Sequence, residues 1–319
     1  MESTNGQWFP PEWPERIRAL ASGALVPAVP RRAATVMLLR DGAAGPEVHM
    51  LRRRTSMAFA GGAYAYPGGS VDPRDEGDVA WAGPDREVWA AWLGADTATA
   101  QSVVCAAVRE TFEEAGVLLA GPSASEIVAD TTGEDWERDR LALVAKELSF
   151  AEFLARRSLV LRSDLLGGWA RWITPEFETR RFDTWFFVAA LPTGQRTRNA
   201  STEADRTVWI TPGEALAGYQ RAELVMMPPT VATLRRLAAC PTVADALAAA
   251  PGQDLTPVLA RARLEGDQVV LSWPGHDEFE KRVAGQDGGG STDRARDTDE
   301  VGSRAGRGTR AGEGARTDD

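Results

Sequence analysis

Arg109-Glu110-Thr111-Phe112-Glu113-Glu114-Ala115-Gly116-Val117 places three carboxylates and one guanidinium within a short run bracketed by Ala106, Ala107 and Val108. The flanks predict a helix over Ala100 to Ala115, with Cys105 and Val108 on its core side. Positions i, i+3 and i+4 share one side of a helix, so Glu110, Glu113 and Glu114 project together. Carboxylates that close repel one another and raise each other's pKa unless a cation sits among them. The simplest such cation is a hard divalent metal, Mg²⁺ or Mn²⁺, which prefers carboxylate oxygens and water. Gly116 closes the helix without a Cβ penalty. A solvated acidic face is the plain alternative, and the apolar setting of the run argues against it.

A second glycine-acid element lies upstream, Pro67-Gly68-Gly69-Ser70-Val71-Asp72. Together the two stretches resemble the Nudix hydrolase box, G-x5-E-x7-R-E-U-x-E-E-x-G-U with U aliphatic. The second half matches at every charged and glycine position, and Thr111 stands where an aliphatic residue is usual. With Gly69 as the opening glycine, the box glutamate position falls on Asp75, and the distance to Arg109 is too long by roughly 26 residues. The box is therefore split by an insert at about 77–101 that carries Trp81, Trp89 and Trp92. Glu87 to Leu93 reads as a short helix covering the site. A split box is similar to the branch of the family that contains the mammalian peroxisomal coenzyme A diphosphatase. The resemblance runs from about Ala33 to about Leu237.

The resemblance implies an α/β fold, the Nudix α/β/α sandwich with a mixed sheet, plus helical insertions. It implies hydrolysis of a diphosphate linked to another moiety. Glu110, Glu113 and Glu114 would be the ligands of Mg²⁺ or Mn²⁺. The general base would be one of them or Glu203, so Glu110, Glu113 and Glu203 are the catalytic candidates. Glu203 stands ahead of the strand Val208-Trp209-Ile210, where many Nudix enzymes carry an acid that reaches the metal. The Gly68-Gly69 backbone would approach the diphosphate. Arg109 and Gly116 would be structural, Arg109 pairing with a carboxylate to position the glycine loop. Coenzyme A-cleaving members often carry an arginine-serine pair, then a second arginine and a glycine. Here Arg53 matches the first arginine, Arg54 stands at the serine, Ala58 at the second arginine, and Gly62 at the glycine. Arg53 and Arg54 are thus the candidate substrate-binding cations. Three activities fit: a coenzyme A or acyl-coenzyme A diphosphatase, a hydrolase of nucleoside diphosphate derivatives such as ADP-sugars, NADH or dinucleotides, or a non-catalytic Nudix-fold binding module.

The chain has 319 residues, 43% of them hydrophobic, and a net charge of −10, which argues against a general nucleic-acid or membrane-surface binder. Its two cysteines, Cys105 and Cys240, have no CxxC partner and read as buried thiols of a reducing compartment. No apolar run is long enough to span a bilayer, and a cytoplasmic location is expected. A small-molecule diphosphate is the expected partner, and a homodimer remains open. The resemblance implies a Nudix domain at 31–240 with a family-specific insert at about 123–166, whose periodicity reads as helical, preceded by an N-terminal arm (1–30) and followed by a C-terminal extension (241–280) and, by composition, a disordered tail (281–319). The insert reads as a wall or lid of the pocket, or as a buttress. Ala33 to Arg40 and Thr184 to Leu191 read as central strands. Arg180, Arg181 and Asp183 read as lining the site. Leu255 to Trp273 reads as a strand pair turning at Gly266-Asp267.

Overall fold

A computed structural model describes residues 12–56, 61–265 and 268–283. The first apolar run forms the strand Arg31–Gly42. It turns through a hairpin into Gly45–Arg53, and pairs on its other side, in parallel, with Phe182–Ala190. The full sheet runs Ala204–Ile210, Gly45–Arg53, Arg31–Gly42, Phe182–Ala190, Gly167–Ile173 and Val258–Leu259. The short strand Gly68–Ser70 adds antiparallel to the first strand, with Thr35 opposite Gly68 and Ala33 opposite Ser70. Parallel and antiparallel pairs coexist, as the expected mixed sheet requires.

Two-residue alternation splits the central strands between two cores. Ala34, Val36 and Leu38 meet Trp185, Phe187 and Ala189 on one face, while Met37 and Leu39 meet Phe186 and Val188 on the other. The first face carries the helices Arg86–Leu93, Thr97–Ala115, Glu134–Val144 and Phe150–Arg156. The second carries Trp13–Ala21, Pro212–Gln220, Pro228–Leu237 and Val243–Ala249. Helices on both faces of a mixed sheet make the α/β/α sandwich. Thr211 caps the helix that closes the domain, with Pro212 at its first position, as the sequence implies.

The two inserts form one piece of structure. Trp81–Ala82 of the first pairs with Val160–Arg162 of the second, which also pairs with Ala120–Gly121 just beyond the acidic helix. Trp89 is wholly buried against Phe187. The helix Arg86–Leu93 therefore packs beside the acidic helix and does not cover the site; its apolar side is spent on the core. The C-terminal pair is Arg261–Glu265 with Gln268–Ser272, and a third strand, Lys281–Val283, joins it. The tail thus cannot begin at Lys281, because strand pairing satisfies those three residues' backbone. The turn at 266–267, the stretch beyond 283 and Ala58 lie outside the described residues.

Candidate active site

From Ser102 to Ala115 every residue of the acidic helix is buried except Glu110, Glu113 and Glu114. The helix is a core element with one wet stripe, and that stripe is the acid triplet. Thr111 keeps its place in the core because its hydroxyl donates to the Ala107 carbonyl, one turn back, at 2.7 Å. Gly116 takes φ +71°, and a Cβ there would meet Arg198 Nε at 2.6 Å.

Arg109 rejoins the two halves of the split box. Its Nε and Nη2 donate to the two oxygens of Asp75 at 2.8 and 2.9 Å, a bidentate pair. Its Nη1 donates to Glu110 (2.8 Å) and Glu113 (3.1 Å), and its Nη2 to the Ser70 carbonyl (3.0 Å). Asp75, 2% exposed, is fixed in turn by a capping box over Pro73–Glu76, whose other member is Asp72. Asp75 thus stands where the box glutamate is expected, and the inserted residues loop away without disturbing this contact.

The glycine pair sits against the acids. Gly68 N–H donates to Glu114 at 2.8 Å, and the Ser201 hydroxyl donates to the other Glu114 oxygen at 3.2 Å. A Cβ on Gly69 would lie 2.5 Å from a Glu110 oxygen, and one on Gly68 would lie 2.5 Å from the Ala34 carbonyl. Both positions need glycine for close approach. Burial pushes Glu110 up to about 8 and Glu114 up to about 7, and raises Glu113 as well. Arg109 offsets part of this for Glu110 and Glu113. Among the described residues no three His, Cys, Asp or Glu side chains are arranged as a ready metal cage. The donors nonetheless suit a hard cation: half-buried carboxylates, crowded and under-compensated by one guanidinium.

These groups open into a cleft of about 950 Å³, at the large end of small-molecule pockets. Glu203 also lines it, its carboxylate 3.6 Å from Arg53 Nη2 and its charge felt by Glu114. Arg53 lines the cleft; Arg54, just past the end of the strand Gly45–Arg53, does not, and its backbone N–H donates to the Glu203 carbonyl. Arg180 lines the cleft, but Arg181 and Asp183 do not. Arg181 is buried, donating to the Thr174 and Ala28 carbonyls, and Asp183 is held by Arg171 in a bidentate pair. The helical insert contributes Leu143, Val144 and Lys146 to the wall. It also acts as a buttress: Arg140, 4% exposed, donates to the Glu113 carbonyl at 2.7 Å and the Ala200 carbonyl at 3.2 Å.

Sequence reasoning did not find Ser201, Arg140, Lys146, Arg74 or the pair Arg31-Arg32. The last had a readable signal, two cations at the start of the central strand. Lys146 had none, since its place depends on a non-glycine residue at φ +62°.

A Nudix α/β/α sandwich with a split, arginine-rejoined box is the class that this fold and site define. Residues 85–237 match the family model of the NUDT19 Nudix domain. The acyl-coenzyme A diphosphatase NUDT19 of Xenopus laevis is 24% identical over 231 residues, covering 60% of this chain and 59% of the relative. The human protein of that name is 31% identical over 153 residues, 44% of this chain and 40% of the relative. The chain thus aligns with less than two thirds of these relatives' lengths. A Nudix hydrolase crystal structure from Alicyclobacillus acidocaldarius superposes with a TM-score of 0.58 at 28% identity, covering 69% of this chain and 96% of that one. The chain resembles the Nudix hydrolases of the NUDT19 type.

Proposed function

We propose that the chain is a metal-dependent diphosphatase that cleaves coenzyme A or acyl-coenzyme A into a 4′-phosphopantetheine product and 3′,5′-ADP. The observation that carries the reading is the knot of Arg109, Asp75, Glu110, Glu113 and Glu114 against Gly68-Gly69 at the floor of a large cleft. The NUDT19 relatives' names support the substrate class. Glu110, Glu113 and Glu114 would hold Mg²⁺ or Mn²⁺, which when bound supplies charge neutralisation of phosphate oxygens and acidifies water. The chain's own groups do the rest. The glycine loop lets backbone approach the diphosphate, and Arg53 offers a guanidinium to a phosphate oxygen. Glu203, which lines the cleft and whose carboxylate is hydrogen-bonded to none of the box groups among the described residues, is assigned to accept the attacking water's proton.

The test is product analysis with Mg²⁺ or Mn²⁺ on coenzyme A, acyl-coenzyme A, ADP-ribose and NADH. Preference for the coenzyme A pair supports the reading. Preference for ADP-ribose or NADH would favour the nucleoside diphosphate alternative, which is supported by Arg53 alone of the Arg53-Arg54 pair lining the cleft. No turnover together with no metal binding would leave a binding module.

A further inference from the structure

At the other end of the same cleft lies a group of cations that the box does not use. Arg31 and Arg32 open the central strand, and Arg180 sits in the turn that feeds its parallel neighbour. The register sets Arg31 beside Phe182 and Arg32 beside Asp183, and Arg31 N–H donates to the Arg181 carbonyl at 2.8 Å. Arg181 ties that turn to Thr174 and Ala28, so Arg180 is presented from a fixed backbone. All three residues line the cleft, and among the described residues none of their guanidinium groups is ion-paired or hydrogen-bonded.

The carboxylates around them are committed elsewhere. Asp183 is held by Arg171, Asp72 by Arg74 and Lys146, and Glu178 by Trp13 and Arg16. Arg32 feels the field of Asp96, whose oxygens accept from Thr99. Three unpaired like charges gathered at one rim repel each other, and an anion relieves that repulsion. The rim is close to the chemistry. Thr35 pairs with Gly68, and Arg32 and Arg31 lie three and four residues back along the strand, roughly 10–13 Å at about 3.3 Å per residue. We propose that Arg31, Arg32 and Arg180 form a subsite for a phosphomonoester on the nucleotide half of the substrate, separate from the diphosphate being cleaved. This rests on the coenzyme A reading, whose 3′-phosphate is such a group.

The test is calorimetric binding of 3′,5′-ADP and 5′-AMP to the full chain without metal, repeated with Arg31→Ala/Arg180→Ala and with Arg31→Lys/Arg180→Lys. Wild-type protein should bind 3′,5′-ADP about 10- to 100-fold tighter than 5′-AMP. The alanine variant should lose that margin with 5′-AMP binding unchanged, and the lysine variant should keep part of it. Equal binding of both nucleotides by wild type, or an equal loss of both in the alanine variant, would overturn the subsite. Turnover of coenzyme A against dephospho-coenzyme A then separates the two claims. A binding margin with no cleavage of either would uphold the subsite and sink the hydrolase reading. Cleavage of both at equal kcat/KM, with no binding margin, would do the reverse.

Discussion

The two ends of the cleft treat charge in opposite ways. At the acidic end every group has a protein partner: Arg109 bridges Asp75, Glu110 and Glu113, and Gly68 and Ser201 hold Glu114. At the basic end, the guanidinium groups of Arg31, Arg32 and Arg180 make no hydrogen bond or ion pair among the described residues. The acidic end is preorganised, which chemistry at phosphorus demands because reorganisation would be repeated at each turnover. The basic end is poised, its charges left for a ligand to satisfy. Position and burial are fixed in one, affinity is held in reserve in the other.

The largest effect that could break this contrast is Glu113→Gln. It keeps the side chain's shape and removes one charge from the proposed metal set, so metal-dependent turnover should fall by at least roughly 1,000-fold with circular dichroism and melting unchanged. Near-wild-type activity would remove Glu113 from the ligand set. Arg109→Ala comes next. It leaves Asp75 buried without its cation and should cost about 3–5 kcal/mol in urea unfolding, whereas Arg180→Ala at the poised end should cost almost nothing. Equal costs would erase the distinction between the ends.

Acid supplies a control from outside the cleft. His49 is buried on its strand beside Trp209 and has no hydrogen-bond partner, and burial, with the field of Arg40 behind it, lowers its pKa to about 4. Its folded pKa lies below its unfolded value, so between pH 6.5 and 4 the unfolded chain binds the extra proton. Stability is therefore lost as pH falls through that window, by about 3 kcal/mol in the limit. His49→Gln should remove this part of the acid sensitivity, measured as the difference in urea midpoints at pH 7 and pH 4.5. The smallest expected effect is the sharpest for the site. Gly69→Ala pushes a methyl to within 2.5 Å of a Glu110 oxygen, at the movable end of a side chain. Stability should change by under about 1 kcal/mol while kcat falls roughly 10- to 100-fold. A loss in KM alone would mean that Glu110 is not displaced.

The acidic end was legible in the sequence because its chemistry is local. Four of its groups lie within one helical turn and a half, and their spacing alone puts them on one face. The central strands were legible for the same reason, through continuous apolar runs. Asp75 was found only through the family pattern, since nothing local marks it as Arg109's partner. The basic end was legible only in pieces: Arg180 reads as lining the site and Arg31-Arg32 stand out as a pair, but nothing local brings the pair to Arg180, which it meets through strand register. The Trp-rich insert was misplaced over the site because a short amphipathic helix does not declare which surface it will cover. Arg53 and Arg54 look alike in the sequence, and only the end of the strand at Arg53 separates the one that lines the cleft from the one that does not.

Arg140 bears on how this chain can be cut and recombined. It sits in the helical insert and donates to the Glu113 carbonyl and to the loop before Ser201, while its neighbour Glu137 receives Arg198, which in turn packs where a Cβ on Gly116 would stand. The insert is therefore not a removable decoration on a minimal domain. A chimera that trims 123–166 would strip the clamp from the end of the very helix that carries the acids, and one that grafts the split box elsewhere would have to bring Glu137, Arg140 and Arg198 with it as a set.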